Sequence, residues 1–461
     1  MGSQWSDSYI NRESERMTLF TRITPRRSDF VAMKHNPRAD FIAGLSVAVV
    51  ALPLALAFGV SSGVGAGAGI ATAIVAGLVA AIFGGSRLQV SGPTGAMTVV
   101  LVPIALHFGP SAVFVVGFMA GVILLVMTFA GAAHSMRYIP ISVIEGFTLG
   151  IAMLIGLQQI PMALGVKAQS SSVVGSAWRA SVAWFKAPTF ASINIAIFCA
   201  LFILILARVR SGFPAGIVAV ALTTIAVWVE KLDVHTVGDV PRSLSFVGLP
   251  HLGDVNVAAL IIPALSVAGL AAIEGLLCAT VADSMAGGTP HNPHQELFGQ
   301  SLANLVAPLF GGVPATAAIA RTAVNVRSGA TSRLAAISHS LILWLCIAVA
   351  SGLVAHIPLP ALAGVLIATA LRMVDVERMR NFAKETNTDF FIVAITAAAT
   401  LFLDLVEAVA VGLVIAGIIS AFQNRYNHET HEHQVDDAEI ALEHALHPVT
   451  PQKEKGSDGI H

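Results

Sequence analysis

Two short segments rich in glycine and proline interrupt the apolar stretches of this chain at matching places in its two halves. The first is Gly84-Gly85-Ser86-Arg87-Leu88-Gln89-Val90-Ser91-Gly92-Pro93-Thr94-Gly95-Ala96. The second is Gly311-Gly312-Val313-Pro314-Ala315-Thr316-Ala317-Ala318-Ile319-Ala320-Arg321. Each follows one apolar stretch and leads into another. Lipid offers no hydrogen-bond partners, so backbone that leaves the helix at membrane depth must be buried in protein or line a cavity. A matched pair of broken spans is the pattern of a carrier built from inverted repeats, with its substrate site between the breaks.

Composition places the chain in a membrane. It is 55% hydrophobic and 11% charged, with a mean hydropathy of +0.78, where soluble domains carry about 25% charged residues. Apolar stretches long enough to span a bilayer recur from Phe41 to Phe422. Three parts follow: a polar, basic N-terminal segment (1–40) with no signal-peptide pattern, a transmembrane transport domain (41–422), and a His-rich tail (423–461). Cys199, Cys278 and Cys346 fall inside spans, which argues against a disulfide framework. A net charge of −1 gives no bias toward nucleic acid.

The expected fold is an all-α polytopic membrane protein with fourteen segments: 41–60, 66–84, 93–107, 112–133, 140–163, 189–207, 213–229, 257–280, 295–310, 314–328, 334–356, 360–372, 388–404 and 405–422. The third and tenth are short. Each begins at the proline of a break, Pro93 or Pro314, and proline suits the first turn of a helix. Fourteen divides as seven plus seven. Seven is odd, so the second half enters from the opposite face, the third segment corresponds to the tenth, and the two half-helices meet at mid-membrane. With the N-terminus inside, only Lys167, Arg179, Lys186, Lys231 and Arg242 of the 26 basic residues fall outside. That split follows the positive-inside rule and puts both termini in the cytoplasm. Two long outer connections, 164–188 and 230–256, are polar to mixed.

Glu274 lies deep in the eighth segment, where an ionisable group is costly and usually faces a cavity or a partner. It reads as a coupling carboxylate or as half of a structural pair. Arg321 lies about two turns into a helix starting at Pro314. Its guanidinium suits an oxyanion; otherwise it only sets topology, as Arg327 and Arg333 do. Helix N-termini at Pro93 and Pro314 offer free N–H groups and the positive ends of two dipoles, an anion site without further charge. Thr94, Thr316 and Thr322 are candidate hydroxyl donors. Pro53 is expected to kink the first segment, and Phe58 to wall a pocket or pack. Glu145, Gln158 and Gln159 read as packing groups. The tail histidines, His428, His431, His433, His444 and His447, match no closed zinc pattern. No metal or cofactor is expected, and no HExxH, Ser/His/Asp or Gly-rich nucleotide motif supports an enzyme.

These motifs resemble the sulfate permease (SulP) family of anion transporters, whose relatives include prestin. The matching stretches are Asp40-x-x-Ala43-Gly44, Pro53 to Phe58, Ser91-Gly92-Pro93-Thr94, Gly146-Phe147, Glu274 with Ala282-Asp283, Gln295-Glu296-Leu297, and Asn304 to Gly329 with Arg321-Thr322-x-x-Asn325. The likeness covers about residues 40–425. It implies a fourteen-helix fold in which a core domain moves against a gate domain like an elevator. The anion would sit between the third and tenth helices, beside the first and eighth. Carried onto this chain, that puts Phe58, Thr94, Ala320 and Arg321 around the anion and Glu274 at the coupling position; with the neighbouring residues of the two breaks, the expected substrate set is Phe58, Thr94, Gly95, Ala96, Ile319, Ala320, Arg321 and Thr322.

Three departures qualify the resemblance. Only about 39 residues follow Phe422, without a strand pattern, so the STAS domain that ends many members is expected to be absent. The residue after Pro53, often Gln in the family, is Leu54. One turn after Glu274 stands Cys278, where sodium-driven bicarbonate members place a hydroxyl; thiol suits sodium poorly. Proton coupling or exchange is therefore expected rather than sodium symport. The leading substrates are small inorganic anions, sulfate or bicarbonate. A chloride channel or exchanger of the same fold, a dicarboxylate carrier for an acid such as fumarate, and a nucleobase carrier of shared architecture are the alternatives. The resemblance implies a bacterial plasma membrane setting, and admits a homodimer and a carbonic anhydrase partner.

Overall fold

The computed structural model describes residues 23–133, 141–167, 170, 172–210, 213–250, 256–287, 290–374, 380, 387–402 and 414. The fourteenth segment (405–422, apart from Val414), the tail with its histidines, and residues 1–22 lie outside the described residues. Fifteen α-helices are described: α1 (Arg27–Val31), α2 (Pro37–Ser61), α3 (Ala66–Phe83), α4 (Gly95–Phe108), α5 (Pro110–Phe129), α6 (Ile141–Leu164), α7 (Val173–Lys186), α8 (Phe190–Val209), α9 (Ala215–Glu230), α10 (Ile261–Ala286), α11 (Pro293–Val306), α12 (Ile319–Arg327), α13 (Leu334–Ala355), α14 (Leu359–Met373) and α15 (Asn387–Phe402). Seven stretches within them are long and apolar enough to cross a membrane.

Local chemistry sets the helix ends. The Asn36 side chain accepts from the Ala39 N–H at 3.3 Å with Pro37 at the first position, so α2 starts there, a few residues earlier than the apolar run. Pro53 sits inside α2, which continues through it. Asn292 caps α11 by accepting from the N–H groups of His294 and Gln295. The outer connection 164–188 holds α7, capped by Ser172 and carrying Trp178 and Phe185 outward. Small residues let α2 and α3 touch backbone to backbone. A Cβ on Gly69 would collide with the Ala55 carbonyl oxygen.

Packing divides the helices into two groups. α2, α3, α4, α5, α10, α11, α12 and α13 pack among themselves, and so do α6, α8, α9, α14 and α15, with α7 against α6. The groups meet along α2 and α4, which touch α14, α9 and α6.

The two broken segments form an antiparallel strand pair, β1 (Ser91–Gly92) with β2 (Thr316–Ala317); Ser91 stands opposite Ala317 and Gly92 opposite Thr316. This corrects two expectations. The short helices begin at Gly95 and Ile319, not at Pro93 and Pro314, because the residues between are drawn into or next to the strand pair. Arg321 is accordingly the third residue of α12, in its first turn, and not two turns in.

Candidate functional site

The strand pair survives inside an apolar bundle because side chains satisfy the surrounding backbone, as buried polar groups require. Val90 N–H donates to Thr322 Oγ1 at 3.0 Å, and Ala318 N–H to the Val90 carbonyl at 3.0 Å. Asn325 Nδ2 donates to the Leu88 carbonyl at 2.8 Å. Asn304 brackets Ala315, accepting from its N–H at 2.8 Å and donating to its carbonyl at 2.9 Å. Thr316 Oγ1 donates to the Ala271 carbonyl at 3.3 Å, and Thr72 Oγ1 to that of Val313 at 3.0 Å. Gln300 Nε2 reaches Ser91 Oγ at 2.8 Å.

Glu296 anchors the elbow that leads into β1. Its buried Oε2 accepts from the N–H groups of Gly85 (2.9 Å) and Ser86 (3.0 Å). Its Oε1 accepts from Nε2 of Gln89 (2.7 Å) and Gln300 (2.9 Å). Glu296→Ala would orphan two backbone donors at a cost of about 1–3 kcal/mol each. The expected outcome is a lowered thermal midpoint of the purified protein, with Glu296→Gln intermediate; an unchanged midpoint for the alanine variant would remove the anchoring role.

Arg321 joins the two breaks. It is 1% exposed, and its Nη2 donates to the Pro93 carbonyl at 2.8 Å. Gly92 makes room for it. Its φ is +154°, and a Cβ there would stand 2.5 Å from Arg321 Nη1. Gly92→Ala is expected to push the guanidinium off Pro93, with an apparent anion affinity weakened by about tenfold, the worth of one charge-assisted hydrogen bond. Uptake kinetics with the wild-type KM would contradict this.

Thr94 caps α4 by accepting from the Met97 N–H at 3.3 Å and donates its own proton to Glu274 Oε2 at 3.2 Å. The Glu274 carboxylate on α10 thus sits beside the first turn of α4, and Glu274 is partly exposed. Gly95 lies against Phe58 of α2 and Ile155 of α6, where the two helix groups meet.

The expected substrate residues and the coupling residue Glu274 therefore divide. Phe58, Thr94, Gly95 and Glu274 come together through direct neighbours, and Ala96 is buried next to them. Ile319, 40% exposed, and Ala320, exposed, present the open side of the α12 N-terminus. Arg321 and Thr322 turn inward, to Pro93 and Val90, and Thr316 turns to Ala271. Cys278 Sγ donates to Thr322 Oγ1 at 3.2 Å, so the thiol belongs to the strand-pair scaffold. Leu54 is buried. Gln159 packs as expected, its Oε1 accepting from Ser61 Oγ at 3.2 Å.

Sequence reasoning gave no role to Glu296, Gln300, Asn304 or His339. The first three recur every four residues on one face of α11, a polar stripe that marks a buried network. His339 on α13 is fully buried beside Gly77, its two ring nitrogens without a hydrogen-bond partner; a lone histidine in an apolar run carries no comparable signal. Among the described residues no cluster of His, Cys, Asp or Glu is arranged to hold a metal ion.

The two broken segments thus pair beside a carboxylate and two helix N-termini, within a bundle whose long helices are apolar enough to cross a membrane. The family model described as "Sulfate permease family" matches residues 38–396, and the chain belongs to that family of anion transporters. Bacillus subtilis YvdB, named provisionally as a sulfate transporter, is 35% identical over 403 residues, covering 85% of this chain and 76% of YvdB. The bicarbonate transporter BicA of Picosynechococcus sp. is 31% identical over 398 residues, covering 84% of this chain and 70% of BicA. The solved transmembrane domain of a cyanobacterial BicA superposes with a TM-score of 0.75 at 29% identity, over 81% of this chain and 98% of that one. SLC26A9 has the same fold, with a TM-score of 0.78 at 17% identity over 90% of this chain and 70% of that one.

Proposed function

We propose that the chain is a secondary carrier of a small inorganic anion, sulfate or bicarbonate, that moves its cargo with a proton by elevator-type alternating access. The observation that carries the reading is the antiparallel pairing of the two breaks directly ahead of two helix N-termini, with Glu274 hydrogen-bonded to the cap of one of them. Free N–H groups and aligned dipoles at Gly95 and Ile319 favour an anion. A carboxylate beside them opposes it until protonated, which links anion binding to proton binding. The arrangement of α4 and α12 fits half-helices of inverted repeats at mid-membrane. The two packing groups supply a core and a gate, and the site lies at their seam.

Proton coupling is favoured over sodium by two contacts. The Cys278 thiol is committed to Thr322, and Arg321 holds the Pro93 carbonyl that a cation would otherwise use. YvdB and BicA carry the substrate expectation, since they are named for sulfate and for bicarbonate. The distribution of Lys and Arg supports a cytoplasmic position for both termini, and the bacterial relative YvdB supports a plasma-membrane location.

The test is uptake of sulfate and of bicarbonate by purified protein in liposomes, with and without an inward proton gradient. Gradient-driven, saturable accumulation of one anion supports the carrier. Sodium-driven uptake removes the proton. Chloride flux indifferent to a counter-gradient indicates a channel, and uptake of fumarate alone a dicarboxylate carrier.

A further inference from the structure

On the face of the molecule that carries α1, a cavity of about 460 Å³ opens away from the seam between the helix groups. Its walls are Arg26 and Asp29 at α1, the elbow Gly85–Leu88, Asp283 near the end of α10, and His291, Asn292 and Gln295 at the start of α11. No residue of α6, α8, α9, α14 or α15 lines it, so it is distinct from the site that Glu274 and Thr94 build.

The wall is polar and of both signs, and its carboxylates, Arg87 and Asn292 each already have a partner within the protein. Asp283 Oδ2 accepts from the His291 N–H at 2.8 Å and stands 2.7 Å from His291 Nδ1. Asp29 Oδ2 accepts from the Arg26 N–H at 2.8 Å and stands 3.8 Å from Arg333 Nη2. The guanidinium-bearing residues Arg26 and Arg87 line the same space. Gln295 also lines it, 5% exposed, with its Nε2 lacking any hydrogen-bond partner. A buried amide donor left unmade is costly and marks a place where a partner is due. The volume falls within the range of small-molecule sites, about 300–1,000 Å³, and far exceeds a bare sulfate or bicarbonate. Guanidinium forks match phosphoryl oxygens, while the unpartnered Gln295 amide and the remaining lone pairs of Asp29 and Asp283 suit hydroxyl groups.

We propose that this cavity binds a phosphorylated polyol of the glycerophosphate kind, supplied free in solution or as a phospholipid headgroup. The phosphoryl group lies toward Arg26 and Arg87 and the hydroxyls toward Gln295 and the carboxylates. One wall is the Gly85–Ser86 backbone that Glu296 holds, so the ligand bears on the elbow feeding β1.

The full chain, purified in a neutral detergent, is titrated with glycerol 3-phosphate, and a second sample is placed in phosphatidylcholine nanodiscs with and without phosphatidylglycerol. Saturable binding of glycerol 3-phosphate identifies a free ligand; stabilisation by phosphatidylglycerol alone identifies a headgroup. In either arm the double variant Arg26→Ala, Arg87→Ala is expected to weaken the effect by at least about tenfold, as loss of charge-assisted contacts does. Because that variant can misfold, hydrogen exchange is followed on the unmodified chain too, with protection expected over residues 84–90 and 290–296. No saturable effect from either source, or protection elsewhere, overturns the proposal.

Discussion

Glu274→Gln is expected to abolish accumulation driven by a proton gradient while leaving anion binding in place. Glutamine keeps an oxygen where Thr94 donates at 3.2 Å, so the cap of α4 and the shape of the site persist. What is lost is the group that changes charge. A gradient of one pH unit supplies about 1.4 kcal/mol per coupled proton, which sustains roughly tenfold accumulation of an anion carried with one proton. The wild-type protein is expected to approach that ratio. The glutamine variant should exchange labelled anion across the membrane with no net accumulation, because residue 274 then carries no charge at any pH and binds no proton. The measurement is paired: counterflow of labelled anion, and net uptake under an imposed gradient. If the variant accumulates anion as the wild type does, the proton is carried elsewhere; if it loses counterflow too, Glu274 is needed for the site itself.

Most of the helical framework was readable because each span must bury or expose apolar residues over a fixed length. The first twelve segments fall on described helices, and the thirteenth on α15. The breaks were readable for the same reason, since Gly and Pro runs have no place in lipid unless protein receives them. What the breaks do with their backbone was not readable. Proline at a break suits a helix start as well as an extended stretch, and only the partner segment, more than 200 residues away, decides between them. Pairing of Ser91 with Ala317 pulled both helix starts downstream and moved Arg321 into the first turn. The same distance hid the role of Thr322, whose hydroxyl accepts from Val90 and is not turned to a ligand, and Thr316 is likewise spent on a neighbouring helix, on the Ala271 carbonyl. Glu274 and Thr94 were each visible as polar groups in apolar runs. Their hydrogen bond joins residues 180 apart in sequence, which no local pattern encodes.

Arg321→Ala should weaken anion affinity more than any other substitution in α12, and the reason is structural as much as electrostatic. Arg321 is buried, and its fork spans from α12 to the Pro93 carbonyl, one residue before the cap of α4. Alanine removes a fixed positive charge from beneath both helix N-termini and leaves that carbonyl without its donor in a low-dielectric interior. Loss of a hydrogen bond to a charged group costs about 1.5–3 kcal/mol, or roughly tenfold to a hundredfold in affinity. Arg321→Lys keeps the charge but not the planar fork, and is expected to recover only part of the loss. Gly92 offers an independent check, because its side-chain position is filled by Arg321 Nη1. If Gly92→Ala acts by displacing the guanidinium, it should add little in the Arg321→Ala background, since effects routed through one contact are not additive. A double variant whose loss equals the sum of the two would mean that Gly92 and Arg321 act separately, and that the clamp between the breaks is not what sets affinity.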